Sequence, residues 1–338
     1  MDANPLAGLA IIFGSGVVNA SFPLPMKYVR GWKWENLWFV FSFFALLVLP
    51  ALAAWLAMPQ LSQVYASLPA RDFLPGAVFG LLWGFAQASF GVAVPMVGMA
   101  MAFAIVAGMC AVLGSLIPMT VLHSEELLRM RGISLIISGV VLAVGLVLYV
   151  RAARERDRTS VGGGAQPSAN YRKGLALCLF TGATAPMINL GFAFSGNISA
   201  RATAFGASSQ SATLAIWVVV LGAASLPNLL YPLYLMARNR SHSDFRLSTT
   251  QGVVLSLLMG LLWAAGTLGY GWGAATMGTH GTSIGYAVYV VVLVFWSTVT
   301  GLFTGEWRGA APSTLRRMRL GLAVIVVAIL IVSATGLA

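Results

Sequence analysis

Charged residues are scarce in this sequence, and their scarcity excludes a water-soluble globule. Asp, Glu, Lys and Arg make up only 9% of the 338 residues, against roughly a quarter in soluble domains. Hydrophobic residues make up 59%, and the mean hydropathy is +0.86. Because so little polar surface is available to face water, lipid must cover most of the folded chain. The sequence therefore predicts an integral membrane protein.

Acidic residues are the scarcest charged group, and none of them lies inside a long apolar run. A carboxylate pair or a two-metal centre therefore cannot be assembled within the membrane. The histidines, His123, His242 and His280, have no metal-ligand spacing. These absences argue against an enzyme, and we expect no catalytic residue, no metal and no cofactor.

Cysteine is limited to Cys110 and Cys178, both in apolar runs, which predicts buried thiols rather than a disulfide framework. Basic residues outnumber acidic ones by 20 to 9, which gives a net charge of +11. The Lys and Arg residues lie between apolar runs, where they act as topology signals and contact anionic headgroups. The expected partners are therefore membrane lipids and not nucleic acid.

Ten uncharged apolar stretches are long enough to cross a membrane, which takes about 20 helical residues. Backbone groups in hydrocarbon need hydrogen-bond partners within their own segment, so each stretch is predicted to be a helix. The first run lacks a basic region and a cleavage site and is interpreted as a span, not a signal peptide. The ten predicted spans are 6–26, 36–58, 73–94, 98–121, 132–150, 174–195, 212–237, 252–274, 283–305 and 320–337.

Loop charges predict the orientation of these spans. Sixteen of the 20 basic residues lie in the loops that follow the first, fifth, seventh and ninth spans, and four lie in the other loops. Positive loops stay in the cytoplasm. Both termini are therefore predicted to be periplasmic, in a multi-pass protein of the bacterial inner membrane.

An internal repeat divides the chain into two halves. The run Gly80–Trp83 recurs as Gly260–Trp263, offset by 180 residues, in the third and eighth spans. The predicted domains are a five-helix repeat over 1–151, a polar cytoplasmic linker over 152–172 and a second five-helix repeat over 173–338. Five is odd, so the halves insert with opposite orientation, and such inverted repeats place a binding site near the midplane. The expected fold is an all-α integral membrane protein with ten helices in two inverted repeats.

Aromatic and neutral polar side chains inside the spans are the candidates for ligand contact. Trp83 and Gln87 share a helix face, as do Trp263 and Thr267 at the equivalent place in the repeat. Sugar C–H faces stack on aromatic rings, while amides and hydroxyls replace water around sugar hydroxyls. The alternative is that such residues fill gaps between helices or anchor at the interface, as predicted for Trp32, Trp34, Trp38 and Trp307. Substrate contacts are expected at Trp83, Gln87, Trp263, Thr267, Tyr270, Asn19, Asn189 and Tyr286.

Several short runs of the sequence form a recognisable set of motifs. They are Pro25–Lys27, Gly31–Trp38, Leu49–Pro50, Phe79–Gly84, Gly91, Gly98–Met101, Lys173–Leu175, Gly260–Trp263 and Gly305–Trp307. The Lys-Trp-Glu stretch after the first span is the most specific of them. With these motifs the chain resembles the L-rhamnose–proton symporter family of the drug/metabolite transporter superfamily. The resemblance implies ten helices, inverted repeats, outward termini and proton-coupled uptake of a deoxy sugar.

Few residues are candidates for coupling transport to proton movement, because no predicted span contains an acidic residue. Coupling or gating is therefore expected at Lys27, Glu35 or Glu306, all at the cytoplasmic edge. The predicted function is import of a rhamnose-like deoxy sugar or related monosaccharide by alternating access, with a proton as the possible coupling ion. A facilitator or exporter of another small polar metabolite, without proton coupling, is the alternative.

Overall fold

The computed structural model describes residues 4–97, 129–160, 171–246, 249–303 and 307–336, with isolated residues between 105 and 126. All regular secondary structure in these ranges is helical. The α-helices are α1 (Pro5–Ala20), α2 (Trp34–Ser42), α3 (Leu49–Ala57), α4 (Leu61–Ala66), α5 (Leu74–Val97), α6 (Met130–Ser160), α7 (Tyr171–Thr184), α8 (Met187–Phe194), α9 (Gly196–Ala204), α10 (Ser209–Asn239), α11 (Thr249–Met277), α12 (Ile284–Phe303) and α13 (Pro312–Gly336).

Seven helical segments within the described ranges are long and apolar enough to cross a membrane. The shorter apolar helix α1 corresponds to the first predicted span, and the fourth, 98–121, lies mostly outside the described residues. An all-helical membrane protein is thereby confirmed. The seven segments are Trp34–Ala57, Ala70–Phe90, Gly132–Ala152, Arg172–Ala204, Ser209–Asn239, Thr249–Met277 and Ile284–Phe303.

Proline sets the places where helices break inside predicted spans. The prediction of one helix over 6–26 is wrong at its end, because α1 stops at Ala20 and a 3₁₀ turn follows at Pro25–Tyr28. The helix predicted over 174–195 is likewise interrupted at Pro186, between α7 and α8. Proline has no N–H to donate and its ring clashes with the preceding turn, so an unbroken helix is disfavoured at both places.

A π-helical turn over Phe43–Val48 joins α2 to α3 without a break in the chain direction. Pro50 follows two residues later. A missing proline N–H and a wide turn both alter the regular ladder of helix hydrogen bonds. The result is a local widening that carries Leu46 on its buried side.

Packing divides the chain into two compact units, and each unit takes helices from both sequence halves. The first unit comprises Met1–Ala88 and Met187–Gly281, and the second comprises Ser89–Pro186 and Thr282–Ala338. The predicted linker 152–172 begins within α6, which continues to Ser160, and ends within α7; residues 161–170 lie outside the described residues.

Glycines bring the helices of the first unit into close contact. A Cβ at Gly80 of α5 would lie 2.2 Å from the carbonyl oxygen of Val220 on α10. A Cβ at Gly266 of α11 would lie 2.5 Å from Cβ of Asn19 on α1. Only glycine allows backbones to approach this closely. These contacts fix where Trp83 and Trp263 project, because each tryptophan lies within one turn of such a glycine.

Contacts between loops agree with the grouping that the charges predict. In the first unit, Lys33 Nζ donates to the carbonyl oxygen of Asn239 at 3.4 Å, which joins the first-to-second and seventh-to-eighth loops. In the second unit, Arg317 Nη1 lies 2.6 Å from Glu155 Oε2, which joins the regions that follow the fifth and ninth spans. Each pair of basic loops therefore shares one end of its unit.

Candidate functional site

The two repeat-related tryptophans meet in the interior of the first unit. The rings of Trp83 on α5 and Trp263 on α11 stack with centroids 5.6 Å apart and planes at 28°. Both side chains are about 95% buried, with exposed fractions of 5% and 6%. Phe41 of α2 packs edge-on against Trp263 at 6.4 Å. The structure thus brings together two residues that the sequence predicts as substrate contacts.

A small cavity lies beside this indole pair, within the first unit. Its empty volume, including the mouth, is about 230 Å³. Three indoles and two phenyl rings provide apolar faces, and two amides provide hydrogen-bonding groups. The lining residues are Phe22, Trp38, Phe41, Leu46, Trp83, Gln87, Asn228 and Trp263.

Gln87 contributes a polar group with capacity for a ligand. It lies one turn beyond Trp83 on α5, half-buried in the cavity wall. Its amide makes no hydrogen bond to any residue of the chain that the structure describes. A primary amide carries two donor hydrogens and an acceptor oxygen. Gln87 can therefore both donate to and accept from a sugar hydroxyl.

Asn228 is the polar residue that the sequence reasoning missed. Its side chain is buried on α10, and Nδ2 donates to the carbonyl oxygens of Gly84 at 3.3 Å and Ala224 at 3.0 Å. Its Oδ1 accepts from the indole Nε1 of Trp38 at 3.1 Å. The signal that could have found it is an amide beside Pro227 within an apolar stretch, since such groups in membranes are usually functional or structural.

Trp38 was also missed, because its place after a basic loop suggested an interface anchor. In the structure it lies in the cavity wall, a position that the predicted anchor role did not include. Its ring stacks on Trp34 at 5.1 Å and tilts against Phe41 at 5.1 Å. The hydrogen bond to Asn228 then fixes the remaining rotation of the ring.

The side chains of Asn19 and Thr267 form a hydrogen bond with each other. Asn19 Nδ2 donates to Thr267 Oγ1 at 3.1 Å and to the carbonyl oxygen of Trp263 at 2.9 Å. Both amide hydrogens of Asn19 are therefore occupied, and neither residue is among those lining the cavity. These hydrogen bonds join α1 to α11 and fix the position of the backbone at Trp263.

Tyr270 and Asn189 form a second buried polar pair in the first unit. The Tyr270 hydroxyl donates to Oδ1 of Asn189 on α8. The Tyr270 ring packs against Phe192 at 5.8 Å and against Trp217 at 6.3 Å. This pair is likewise not among the residues that line the cavity.

Tyr286 belongs to the second unit, on α12. Its hydroxyl lies 3.4 Å from Sγ of Cys110, and its ring lies 6.5 Å from that of Tyr289. Of the two cysteines, Cys178 is buried as expected, whereas Cys110 is half-buried; both are free thiols.

Of the three candidate coupling groups, Glu35 is the one whose side chain the structure describes. Glu35 is the one charged side chain that is buried within the described residues, with 5% exposed. Its Oε1 accepts hydrogen bonds from Ser241 Oγ at 2.7 Å and Asn239 Nδ2 at 3.0 Å. The carboxylate therefore joins the start of α2 to the end of α10. Glu306 and the side chain of Lys27 lie outside the described residues.

Comparisons with known proteins match nearly the whole chain. A family described as "L-rhamnose-proton symport protein (RhaT)" matches residues 6–338. The L-rhamnose-proton symporter of Cronobacter sakazakii is 29% identical over 319 residues, 91% of each chain. The L-rhamnose-proton symporter of Citrobacter koseri is 27% identical over 321 residues, 91% of this chain and 92% of the relative. The chain belongs to the L-rhamnose–proton symport protein family, a family of membrane transporters and not of enzymes.

Proposed function

We propose that this protein imports L-rhamnose or a related monosaccharide across the bacterial inner membrane, coupled to protons, by alternating access. The proposal includes ten spans in two inverted five-helix repeats, joined by a cytoplasmic linker over 152–172, with both termini in the periplasm. Its substrate site is the cavity beside Trp83 and Trp263. The family membership of the chain supports the choice of sugar and coupling ion.

The observation that carries this proposal is the chemistry of the cavity. Indole faces suit the C–H faces of a sugar, and the unengaged amide of Gln87 suits its hydroxyls. No charged residue is among the described residues that line the cavity. A charged metabolite would lose its hydration there without gaining a counter-charge. A neutral polyol is therefore the favoured substrate class.

The small size of the cavity favours a mechanism in which the protein changes conformation to admit the substrate. In this conformation the cavity has room for about one water molecule, far less than the roughly 300–1,000 Å³ of typical small-molecule sites. The stacked indoles leave no gap for a sugar ring between them, because their centroids are 5.6 Å apart. Substrate entry therefore requires Trp83 and Trp263 to separate, which in our proposal accompanies the opening of the site to one side.

Two observations support the inverted repeat. Trp83 and Trp263, which the 180-residue offset relates, stack on each other. In addition, the first unit contains the first two predicted spans and most of the third, together with the seventh, the eighth and the end of the sixth. Pairing of equivalent elements around a central site is the arrangement that an inverted repeat produces.

Glu35 is the group we assign to proton coupling. It is a buried carboxylate that accepts two hydrogen bonds and forms no ion pair with the described residues. Protonation would remove its charge and weaken both bonds, which would loosen the connection between α2 and α10. Since Phe41 and Trp38 on α2 line the cavity, this connection reaches the substrate site.

A thermal-shift panel on detergent-purified protein tests the substrate assignment. A ligand that binds the folded state raises the melting temperature by mass action. We expect L-rhamnose to raise it, while charged metabolites of similar size leave it unchanged. Loss of the shift in Trp83→Phe or Gln87→Ala, with retention in Phe85→Ala on the exposed face of α5, locates binding at the cavity. A shift that survives both cavity substitutions, or none with any monosaccharide, contradicts the proposal.

The alternative, an uncoupled facilitator, is separated by pH. Repeating the titration with the bound sugar at pH 5.5 and 7.5 tests whether the proton concentration changes the affinity. Proton coupling predicts a several-fold difference that is absent in Glu35→Gln. Equal affinity at both pH values in the parent protein favours the facilitator.

A further inference from the structure

One hydroxyl group lies on the part of α2 that borders the cavity. Ser42 is four residues beyond Trp38, on the same helix face, and four residues before Leu46; both of those residues line the cavity. The sequence between Trp38 and Pro50 contains no other hydrogen-bonding side chain. In this conformation Ser42 is not among the lining residues. It is therefore the polar group that this part of α2 can present when the cavity opens.

The hydroxyl of Ser42 is fully buried and has no partner. Its side chain is 0% exposed, and Oγ makes no hydrogen bond with the described residues. Other buried serines in helices donate to a carbonyl oxygen of the preceding turn, as Ser15 does to Ile11 at 2.7 Å and Ser225 to Gly222 at 2.6 Å. Ser42 does not form this local bond. Because a buried hydroxyl without a partner destabilises the fold, a partner supplied by a ligand would be favourable.

Helix geometry changes directly after Ser42. This residue precedes the π-helical turn over Phe43–Val48, and such turns are rare and occur frequently at functional sites. Leu46, within the turn, lines the cavity. The hydroxyl without a partner and the irregular turn therefore coincide at one part of the cavity wall.

Position separates Ser42 from the other buried hydroxyls that lack a partner. Among the residues that the structure describes there are three more of them, and none lies within one helical turn, along the chain, of a residue that lines the cavity. They are Ser195, Ser256 and Thr314.

We propose that Ser42 binds a hydroxyl group of the sugar when the cavity opens, and that it thereby contributes to the specificity of the site. This inference rests on the proposed function. A serine hydroxyl can donate to one sugar oxygen and accept from another sugar hydroxyl. Together with the amide of Gln87 on α5, it would hold the sugar from two helices. The closed cavity leaves Ser42 without a partner, and the bound sugar supplies one.

Binding of L-rhamnose to detergent-purified variants tests this role. Ser42→Ala should raise the melting temperature of the ligand-free protein, because it removes a buried hydroxyl that has no partner. The same substitution should weaken L-rhamnose affinity about three- to tenfold, since one neutral hydrogen bond to the sugar is lost. A residue with a structural role alone would not change the two quantities in these opposite senses.

Ser195→Ala is the matched control, because its hydroxyl is equally buried and equally without a partner. Oγ of Ser195 lies beside Gly76, which is about two turns along α5 from Trp83. This variant should also gain melting temperature, but it should bind L-rhamnose as tightly as the parent protein does.

Sugar analogues that each lack one ring hydroxyl identify the contact itself. We expect one such analogue to bind the parent protein about three- to tenfold more weakly than L-rhamnose does. In Ser42→Ala this penalty should largely disappear, because the side-chain hydroxyl and the sugar hydroxyl that contact each other are then both absent. The other analogues should show the same penalty in both proteins.

Three results overturn the inference. They are an unchanged L-rhamnose affinity in Ser42→Ala, an equal loss of affinity in Ser195→Ala, and penalties that are the same in Ser42→Ala and the parent for every analogue. Failure of the parent protein to bind any monosaccharide is a different result, because it contradicts the proposed function and with it this role of Ser42.

Discussion

The indole rings of Trp83 and Trp263 stack in the interior of the first unit, 5.6 Å apart, although 180 residues separate them in the chain. Asn19 holds the carbonyl of Trp263, and Gly84 on α5 is held by Asn228. Each indole is thus fixed by an amide on another helix. This arrangement makes the cavity wall sensitive to changes in residues that do not touch its contents.

Replacement of either indole by phenylalanine should weaken sugar binding while leaving the protein folded. We expect Trp83→Phe and Trp263→Phe to weaken L-rhamnose affinity at least tenfold, because the larger aromatic face is lost. Trp→Ala at these sites also removes about 3–5 kcal/mol of packing. The matched control is Trp272→Ala, since Trp272 lies on the same helix as Trp263 but is 56% exposed. Unchanged affinity in both Phe variants would remove the indole pair from the site.

The amide of Asn228 should orient Trp38. In Asn228→Leu the Trp38 N–H loses its acceptor, and the carbonyls of Gly84 and Ala224 lose a donor. We expect a loss of unfolding free energy of about 1–3 kcal/mol and several-fold weaker sugar binding. Thermal unfolding and ligand titration measure the two effects. Asn197→Leu is the control, because Asn197 makes a single exposed hydrogen bond, to Asp72; a similar effect there would deny Asn228 a special role.

Glycine 80 should tolerate no side chain. In Gly80→Ala the new Cβ would meet the Val220 backbone, which cannot rotate away, so we expect α5 and α10 to separate and the melting temperature to fall. A Cβ at Gly222 of α10 meets nothing within 4 Å, so Gly222→Ala should stabilise the helix by about 1 kcal/mol. If both substitutions shift the melting temperature in the same direction, the close approach of α5 to α10 is incorrect.

The bond between Asn19 and Thr267 should act as one unit. Asn19→Ala and Thr267→Val each remove half of it, and the double variant should lose less stability than the sum of the singles. A double-mutant cycle by thermal unfolding is expected to give a coupling energy of about 0.5–2 kcal/mol. Strict additivity would mean that the two side chains do not interact in the membrane-embedded protein.

Neutralisation of Glu35 should separate transport from its driving force. In Glu35→Gln the side chain keeps its shape and an acceptor oxygen for Ser241, but it can no longer exchange a proton. We expect sugar counterflow in proteoliposomes to remain and accumulation driven by a proton gradient to be lost. Asp72→Asn, which alters a carboxylate near the opposite loops, should accumulate sugar as the parent does. Retained gradient-driven accumulation in Glu35→Gln would direct the search to another group.

Apolar runs predicted most helices, because the span of hydrocarbon fixes their length and composition. They did not predict where helices extend into water: α6 continues to Ser160, and α13 begins at Pro312 rather than near residue 320. The hydrocarbon thickness limits the apolar run, whereas a helix continues as long as its backbone bonds and local charges allow.

The internal repeat predicted Trp83, Gln87, Trp263 and Thr267 as site residues; the structure places the first three in the cavity wall, and Thr267 is not among the residues that line it. Asn228 and Trp38 could not be predicted in the same way, because their contact crosses 190 residues and has no counterpart in a motif. Pattern analysis also could not tell that Asn19 and Thr267 bind each other. In the sequence, a polar residue within an apolar run looks the same whether its side chain binds a ligand or a neighbouring helix.

Uptake of labelled L-rhamnose into proteoliposomes, with an imposed inward proton gradient, tests the central claim most directly. The account predicts accumulation above the external concentration that collapses on addition of a protonophore and is absent when Trp83→Phe and Trp263→Phe are combined. Uptake no faster than in protein-free vesicles, or accumulation that the double substitution leaves unchanged, would contradict it.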